Sequence, residues 1–388
     1  MDILITIILV IAGFYVGWNI GANDAANCIG TSVGGGIISY KKAIILMAIF
    51  VFIGSVLQGH YVMKTIGKGI IISDPKSYVS GDKWKKLKNL ETELEKCTDK
   101  NSEEYNTLVQ KTESLRKTIY SELEKKKPKD HEKYFPKGKL PDLAIFVALL
   151  SAGFFVTLAT FFSLPVSTSQ SIVGGVAGVG LGIVGFQTQY FKINVLTKIL
   201  GCWVLCPILT MILSMIICFL MLTLLRRYGN IYWQKTVAFL VILSACYVAY
   251  SLGANDVGNA IGPLLNKYPE KGLALATMGG IALAVGGLTF GKRVTETVGK
   301  NITPLDLPTA FSAQMAAAFG VHLFSIIGVP VSTSQSIVGA VIGVGLYKGI
   351  KTVSAKKIMI ILIGWVAAPS FAAFFAAIVY RILYSFFA

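Results

Sequence analysis

Carboxylates are scarce in this chain. Only 20 of its 388 residues are Asp or Glu, and 13 of those lie in one segment, residues 74–139. The other seven are Asp2, Asp24, Asp142, Asp256, Glu270, Glu296 and Asp306. Histidine is scarcer still: His60, His131 and His322 stand apart from one another and read as structural. No His falls in either repeated motif described below, which excludes a Ser-His-Asp hydrolase built on them. The six cysteines form no disulfide framework, since five lie in apolar stretches and Cys97 in a charged one. Cys202 and Cys206 are one helical turn apart, but no further Cys or His lies near enough in sequence to complete a metal site.

The chain has apolar length instead. It is 54% hydrophobic, with a mean hydropathy of +0.65, above the usual range for a soluble protein. Runs at 2–20, 43–59, 143–163, 199–225, 237–252, 308–329 and 358–386 approach the roughly 20 residues needed to cross a bilayer core. The expected fold is an all-α polytopic membrane protein. The first run has no basic leader and no clean cleavage site, so it reads as a retained span. A net charge of +16 would suggest nucleic acid in a soluble protein. Here the basic residues sit in loops, where they meet lipid headgroups.

Residues 74–139 break the apolar pattern. Trp84, Leu87, Leu90 and Leu94 recur at helical spacing, and so do Leu108, Leu115, Ile119 and Leu123. TDKNS at 98–102 separates the two runs, and KKKPKD at 125–130 closes the second. The pattern predicts a solvated helical-hairpin insertion, read first as having no chemistry of its own, with partner binding or regulation as the alternative.

The rest of the chain is duplicated. GANDAANCIG at 21–30 is matched by GANDVGNAIG at 253–262, an offset of 232 residues. PVSTSQSIVG stands at 165–174 and again, letter for letter, at 330–339, an offset of 165. The difference of 67 between the offsets is close to the length of the insertion. Trp203 and Pro207 are echoed by Trp365 and Pro369. The division is therefore 1–73 with 140–225 as a first membrane repeat, 74–139 as the insertion, and 233–388 as a second repeat.

Asp2, Asp142, Glu270 and Asp306 fall at span ends, leaving Asp24, Asp256 and Glu296 at membrane depth. A central Asp costs at least about 2.5 kcal/mol to insert, and two in matching motifs point to a cavity with a function. The glycines bracketing each motif suggest a broken helix whose bared carbonyls, with Asp24, Asp256, Asn23 and Asn255, would hold a hard cation such as sodium. A proton could take its place. The PVSTSQ motifs do the opposite. Proline ends one helix, Ser and Thr start the next, and a helix start attracts anions. Ser167, Thr168, Ser169 and Gln170, with Ser332, Thr333, Ser334 and Gln335, are the candidate anion donors, joined by Asn27 and Asn259. Two such clusters could surround a small tetrahedral oxyanion, and cations on the aspartates would tie the two bindings together. An aspartyl-protease dyad leaves the doubled PVSTSQ unexplained, and an anion channel has no need of carboxylates.

At these motifs the sequence resembles the inorganic phosphate transporter (PiT) family, over nearly the whole chain outside 74–139. The resemblance implies a multi-pass cell-membrane importer of inorganic phosphate, coupled to sodium or protons. It implies inverted repeats with discontinuous helices and about 10–12 transmembrane segments. The family's functional aspartates fall on Asp24 and Asp256. Its Glu before a TVGK-like segment falls on Glu296, an accessory position, whereas the first repeat has Lys64 there. The chain is expected to be no enzyme and to need no cofactor beyond co-transported sodium. Its expected partners are phosphate, sodium or protons, and the bilayer, with no nucleic acid. Homo-oligomer assembly, a metal-phosphate or proton-coupled symport, and another oxyanion such as sulfate stay open.

Overall fold

The computed structural model describes residues 2–34, 36–97, 103–162, 166–228, 231–299, 306–349 and 355–387. The expected turn at 98–102, Pro165 and the side chain of Glu296 lie outside what it describes. The described residues form fourteen helices. The first repeat has α1 (Asp2–Gly34), α2 (Tyr40–Gln58) and α3 (His60–Lys68). The insertion follows with α4 (Gly81–Lys96), α5 (Glu103–Lys126) and α6 (His131–Tyr134). The first repeat resumes with α7 (Asp142–Phe161), α8 (Thr168–Val184) and α9 (Ile193–Tyr228). The second has α10 (Ile231–Lys267), α11 (Gly272–Gly299), α12 (Leu307–Ile326), α13 (Thr333–Lys348) and α14 (Ala355–Phe387). Eight of these, α1, α2, α7, α9, α10, α11, α12 and α14, are long and apolar enough to cross a membrane. The shorter α8 and α13 pack among them.

The repeats are inverted. Moving along α1 from Gly13 to Gly17 moves the contact back along α10, from Leu264 to Ala260. The two equivalent helices therefore run antiparallel, side by side. They also exchange partners. α1 packs on α11 of the other repeat, and α10 packs on α2 and α3. Likewise α8 packs on α14, and α13 on α9. The repeated prolines lie in these last contacts. A Cβ at Gly174 would meet the Pro369 carbonyl, and one at Gly339 the Pro207 carbonyl. Small residues let the backbones close to contact, which is how apolar helices associate where burial from water gives no driving force.

The breaks in the helices are not where the glycines suggested. α1 and α10 run unbroken through GANDAANCIG and GANDVGNAIG. Gly21 and Gly253 serve close approach instead: a Cβ on Gly21 would strike the Leu283 carbonyl, and one on Gly253 the Val51 carbonyl. The polar side chains of the motif bond to one another and to other helices rather than to their own backbone, so they do not compete with the helical ladder. Discontinuity occurs between α2 and α3 at Gly59, and before α8 and α13. At these last two places the chain reverses. Gly175 of α8 faces Ala148 of α7, as an antiparallel hairpin requires. Ser167 caps α8 by accepting from Gln170 N at 3.3 Å, and Ser332 caps α13 by accepting from Gln335 N at 3.2 Å.

In the insertion, α4 and α5 pair antiparallel. Lys83 meets Glu122 and Arg116 meets Glu91, over a small core of Val79, Leu87 and Ile119. The insertion is anchored beneath by a buried aromatic cluster. His131 Nε2 lies 3.1 Å from the Ile72 carbonyl, and its ring packs among Tyr78, Phe135 and Tyr190. Burial holds this imidazole below its ordinary range, with the Ile72 carbonyl pulling the other way. His131 is thus structural, packed under the hairpin.

Candidate functional site

The starts of α8 and α13 meet tip to tip. Ser169 Oγ donates to the Val331 carbonyl at 2.7 Å, and Ser334 Oγ lies 3.3 Å from the Val166 carbonyl. On either side stand the two aspartates, both buried. Asp24 Oδ2 accepts from Thr168 Oγ1 at 3.2 Å, and its Oδ1 from Ser334 Oγ at 3.0 Å and Asn27 Nδ2 at 2.7 Å. Asp256 repeats this with the hairpins exchanged. Its Oδ2 accepts from Thr333 Oγ1 at 3.0 Å and its Oδ1 from Asn259 Nδ2 at 2.5 Å, and Ser169 Oγ lies 3.3 Å from Oδ1. Consecutive residues of one helix start therefore reach both carboxylates: Thr168 and Ser169 from α8, Thr333 and Ser334 from α13.

The asparagines complete the circuit. Asn27 Nδ2 donates to Ser334 Oγ at 2.8 Å, and Asn259 Nδ2 to Ser169 Oγ at 2.7 Å. The other pair departs from symmetry. Asn23 Nδ2 donates to Thr160 Oγ1 at 2.9 Å, whereas Asn255 Nδ2 donates to the Val331 carbonyl at 2.6 Å. Asn255 Oδ1 also accepts from Val331 N at 3.2 Å, which pins the tip of the second hairpin. The buried oxygens Gln170 Oε1, Gln335 Oε1 and Asn259 Oδ1 have no hydrogen-bond partner. Unsatisfied acceptors at this depth are costly and need explaining.

Asp24, Asp256, Asn27, Asn255, Asn259, Thr168, Ser169, Thr333 and Ser334 are joined here by hydrogen bonds, Asn23 reaches Thr160, and Gln170 and Gln335 are tied through their backbone N–H to the capping serines. Sequence reasoning missed Thr160, which fixes Asn23, and the carbonyls of Val166 and Val331. A signal for Thr160 existed: the 165-residue offset pairs it with Ser325, another hydroxyl. The carbonyls gave none, because backbone groups carry no residue signature. Ser167 and Ser332 lie a step back, engaged as caps.

Compared with known proteins, residues 20–85 and 109–376 match the phosphate transporter family. The chain belongs to that family. It is 28% identical to a protein of Thermococcus kodakarensis named "Putative phosphate permease", over 97% of each chain. It is 25% identical to the chloroplastic inorganic phosphate transporter 2-1 of Arabidopsis thaliana, over 91% of this chain and 68% of that one. A solved structure described as the sodium-dependent phosphate transporter is 25% identical and superposes with a TM-score of 0.74, covering 98% of this chain and 99% of its own. This member of the phosphate transporter family is thus a multi-pass membrane transporter and no enzyme.

Proposed function

We propose that this transporter imports inorganic phosphate across the cell membrane by symport with sodium. Asp24 and Asp256 with Asn23 and Asn255 take the cation, and the starts of α8 and α13 take the anion. The observation that carries this reading is the double engagement of the helix starts, whose hydroxyls are given to carboxylates from both repeats. A hydroxyl has one proton to donate. While Thr168, Thr333 and Ser334 donate to Asp24 and Asp256 and Ser169 donates to the Val331 carbonyl, they have none for phosphate, and the carboxylates repel it. Sodium on a carboxylate, helped by the unpartnered oxygens of Gln170, Gln335 and Asn259, removes both obstacles. It balances the negative charge and frees the hydroxyls to turn toward phosphate, alongside the positive ends of α8 and α13. Sodium then raises phosphate affinity, and by linkage phosphate raises sodium affinity to the same degree. The inverted, partner-exchanging repeats supply the movement, one group of helices rocking against the other about the fixed site.

The test is uptake of labelled phosphate into proteoliposomes under an inward sodium gradient, and separately under an inward proton gradient. The reading expects uptake driven by sodium. Uptake driven only by protons would reassign the cation, and uptake that follows neither gradient would leave a channel. Sulfate should compete poorly, because a carboxylate oxygen can accept a proton from hydrogen phosphate and sulfate has none to give; equal competition would refute that contact. Ser334→Ala removes a hydroxyl that bonds Asp24 and Asn27. Hydrogen bonds to charged groups are worth about 1.5–3 kcal/mol, so half-saturating phosphate should rise about tenfold or more. Ser121→Ala on the exposed insertion should change nothing.

A further inference from the structure

A second cavity lies away from the aspartates, where the insertion rests on the membrane repeats. It measures about 840 Å³ and opens to the surface, within the size range of sites that bind small molecules of many atoms. Its walls carry four lysines from four places in the chain: Lys68 at the end of α3, Lys76 before α4, Lys139 before α7 and Lys192 before α9. Two acidic residues share the cavity, and both are already engaged. Glu132 pairs with Lys127 at 2.5 Å, and Asp74 Oδ1 accepts from Lys76 N at 2.9 Å. Among the described residues, none of the four ammonium groups forms an ion pair.

Three of the lysines are nevertheless held in place. Lys192 Nζ donates to the Lys68 carbonyl at 2.9 Å, and Lys139 Nζ to the Lys267 carbonyl at 3.2 Å. Lys76 Nζ sits 5.4 Å from the centre of the Trp84 ring. An ammonium group has three protons, so Lys139 and Lys192 each keep donors for a ligand. Burial pushes the Lys192 ammonium down, opposed only by Asp74. Ser73 Oγ accepts from Asn266 Nδ2 at 3.1 Å, leaving its own proton to give. Four ammonium groups around a roomy pocket, three of them held by carbonyls or the Trp84 ring and together outnumbering the carboxylates of Asp74 and Glu132, match several phosphoryl groups on one molecule.

We propose that this cavity binds a polyanion bearing two or more phosphoryl groups, clamping the insertion to the membrane repeats. The ligand would join Lys76 and Lys139, on the insertion side, to Lys68 and Lys192 at the ends of the membrane helices. The pocket wall also includes Asn266 of α10, so both repeats are tied in. The phosphoryl groups could belong to a soluble compound or to the headgroup of an anionic phospholipid.

Tripolyphosphate is the probe for the first source, titrated calorimetrically into the whole purified protein in detergent. Binding is expected to weaken about tenfold in Lys76→Gln and again in Lys139→Gln, as charge-assisted contacts are lost. It should also fall steeply with salt. Lys85→Gln on α4 is the control and should bind as the natural protein does. Tripolyphosphate should protect residues 74–80 and 127–140 from protease in the natural protein and not in the double variant. For the second source, the protein is reconstituted into phosphatidylcholine vesicles with or without cardiolipin, whose headgroup carries two phosphoryl groups. Protection by cardiolipin alone, lost in the double variant, assigns the site to a headgroup. Failure of both probes, or equal binding by the natural protein and the double variant, overturns the proposal.

Discussion

Asp24→Asn and Asp256→Asn are each expected to cut sodium-driven phosphate uptake by at least about a hundredfold and to leave the protein folded. The size follows from charge. A unit charge about 4 Å from a cation is worth about 4 kcal/mol at an effective dielectric constant of 20, which is roughly a thousandfold in affinity. The geometry explains why folding survives. An amide in place of the Asp24 carboxylate still accepts from Asn27 and Ser334, and its new N–H₂ faces the Thr168 hydroxyl, which can turn to accept. Removing a buried charge also removes its desolvation cost, so the variants should be no less heat-stable than the natural protein. Uptake and thermal unfolding measured on the same preparations separate the two effects. Natural uptake rates in both variants would end the role given to these residues.

Gly21→Ala and Gly253→Ala should do the reverse, damaging assembly first. The added methyl group meets a backbone carbonyl of the neighbouring helix, that of Leu283 or Val51, and neither can swing aside as a side chain would. Overpacking of this kind costs up to about 3 kcal/mol and sometimes more, a large part of a typical net stability. The expected result is a much smaller monodisperse fraction after detergent extraction. Gly201→Ala is the matched control, since nothing lies near the Cβ it would add to α9. Equal recovery of all three variants would mean that α1 and α11, or α10 and α2, can part at no cost.

These two outcomes divide the GAND motif between different tasks, and that division was only half legible. The carboxylates were readable because an Asp in an apolar run has few explanations. The glycines were misread as breakers because glycine in a helix signals either weakness or close approach, and sequence alone does not choose. Only the position of Leu283 against Gly21 decides it. The duplication was legible from ten identical letters, and the antiparallel setting of the halves came from resemblance, since no pattern of offsets encodes direction. The pairing of Thr168 with one aspartate and Ser169 with the other was hidden for a related reason. It depends on which way a helix start is rotated, fixed by the packing of α8 on α14. The lysine cavity was invisible because its members are spread from Lys68 to Lys192, each an ordinary basic residue at a helix end or in a connecting segment.

The exchange of partners between repeats also sets an order in time. The chain is made from its N-terminus, so α8 emerges long before α14, the helix that covers its glycine face at Gly174 and Gly178. Until this 33-residue helix is inserted, the glycine face of the first hairpin has no wall to rest on, although Asp256 and Val331 are already made. Completion of the first hairpin's packing therefore waits for α14. A nascent chain arrested before residue 355 should hold its early helices in the membrane while that hairpin stays open to protease.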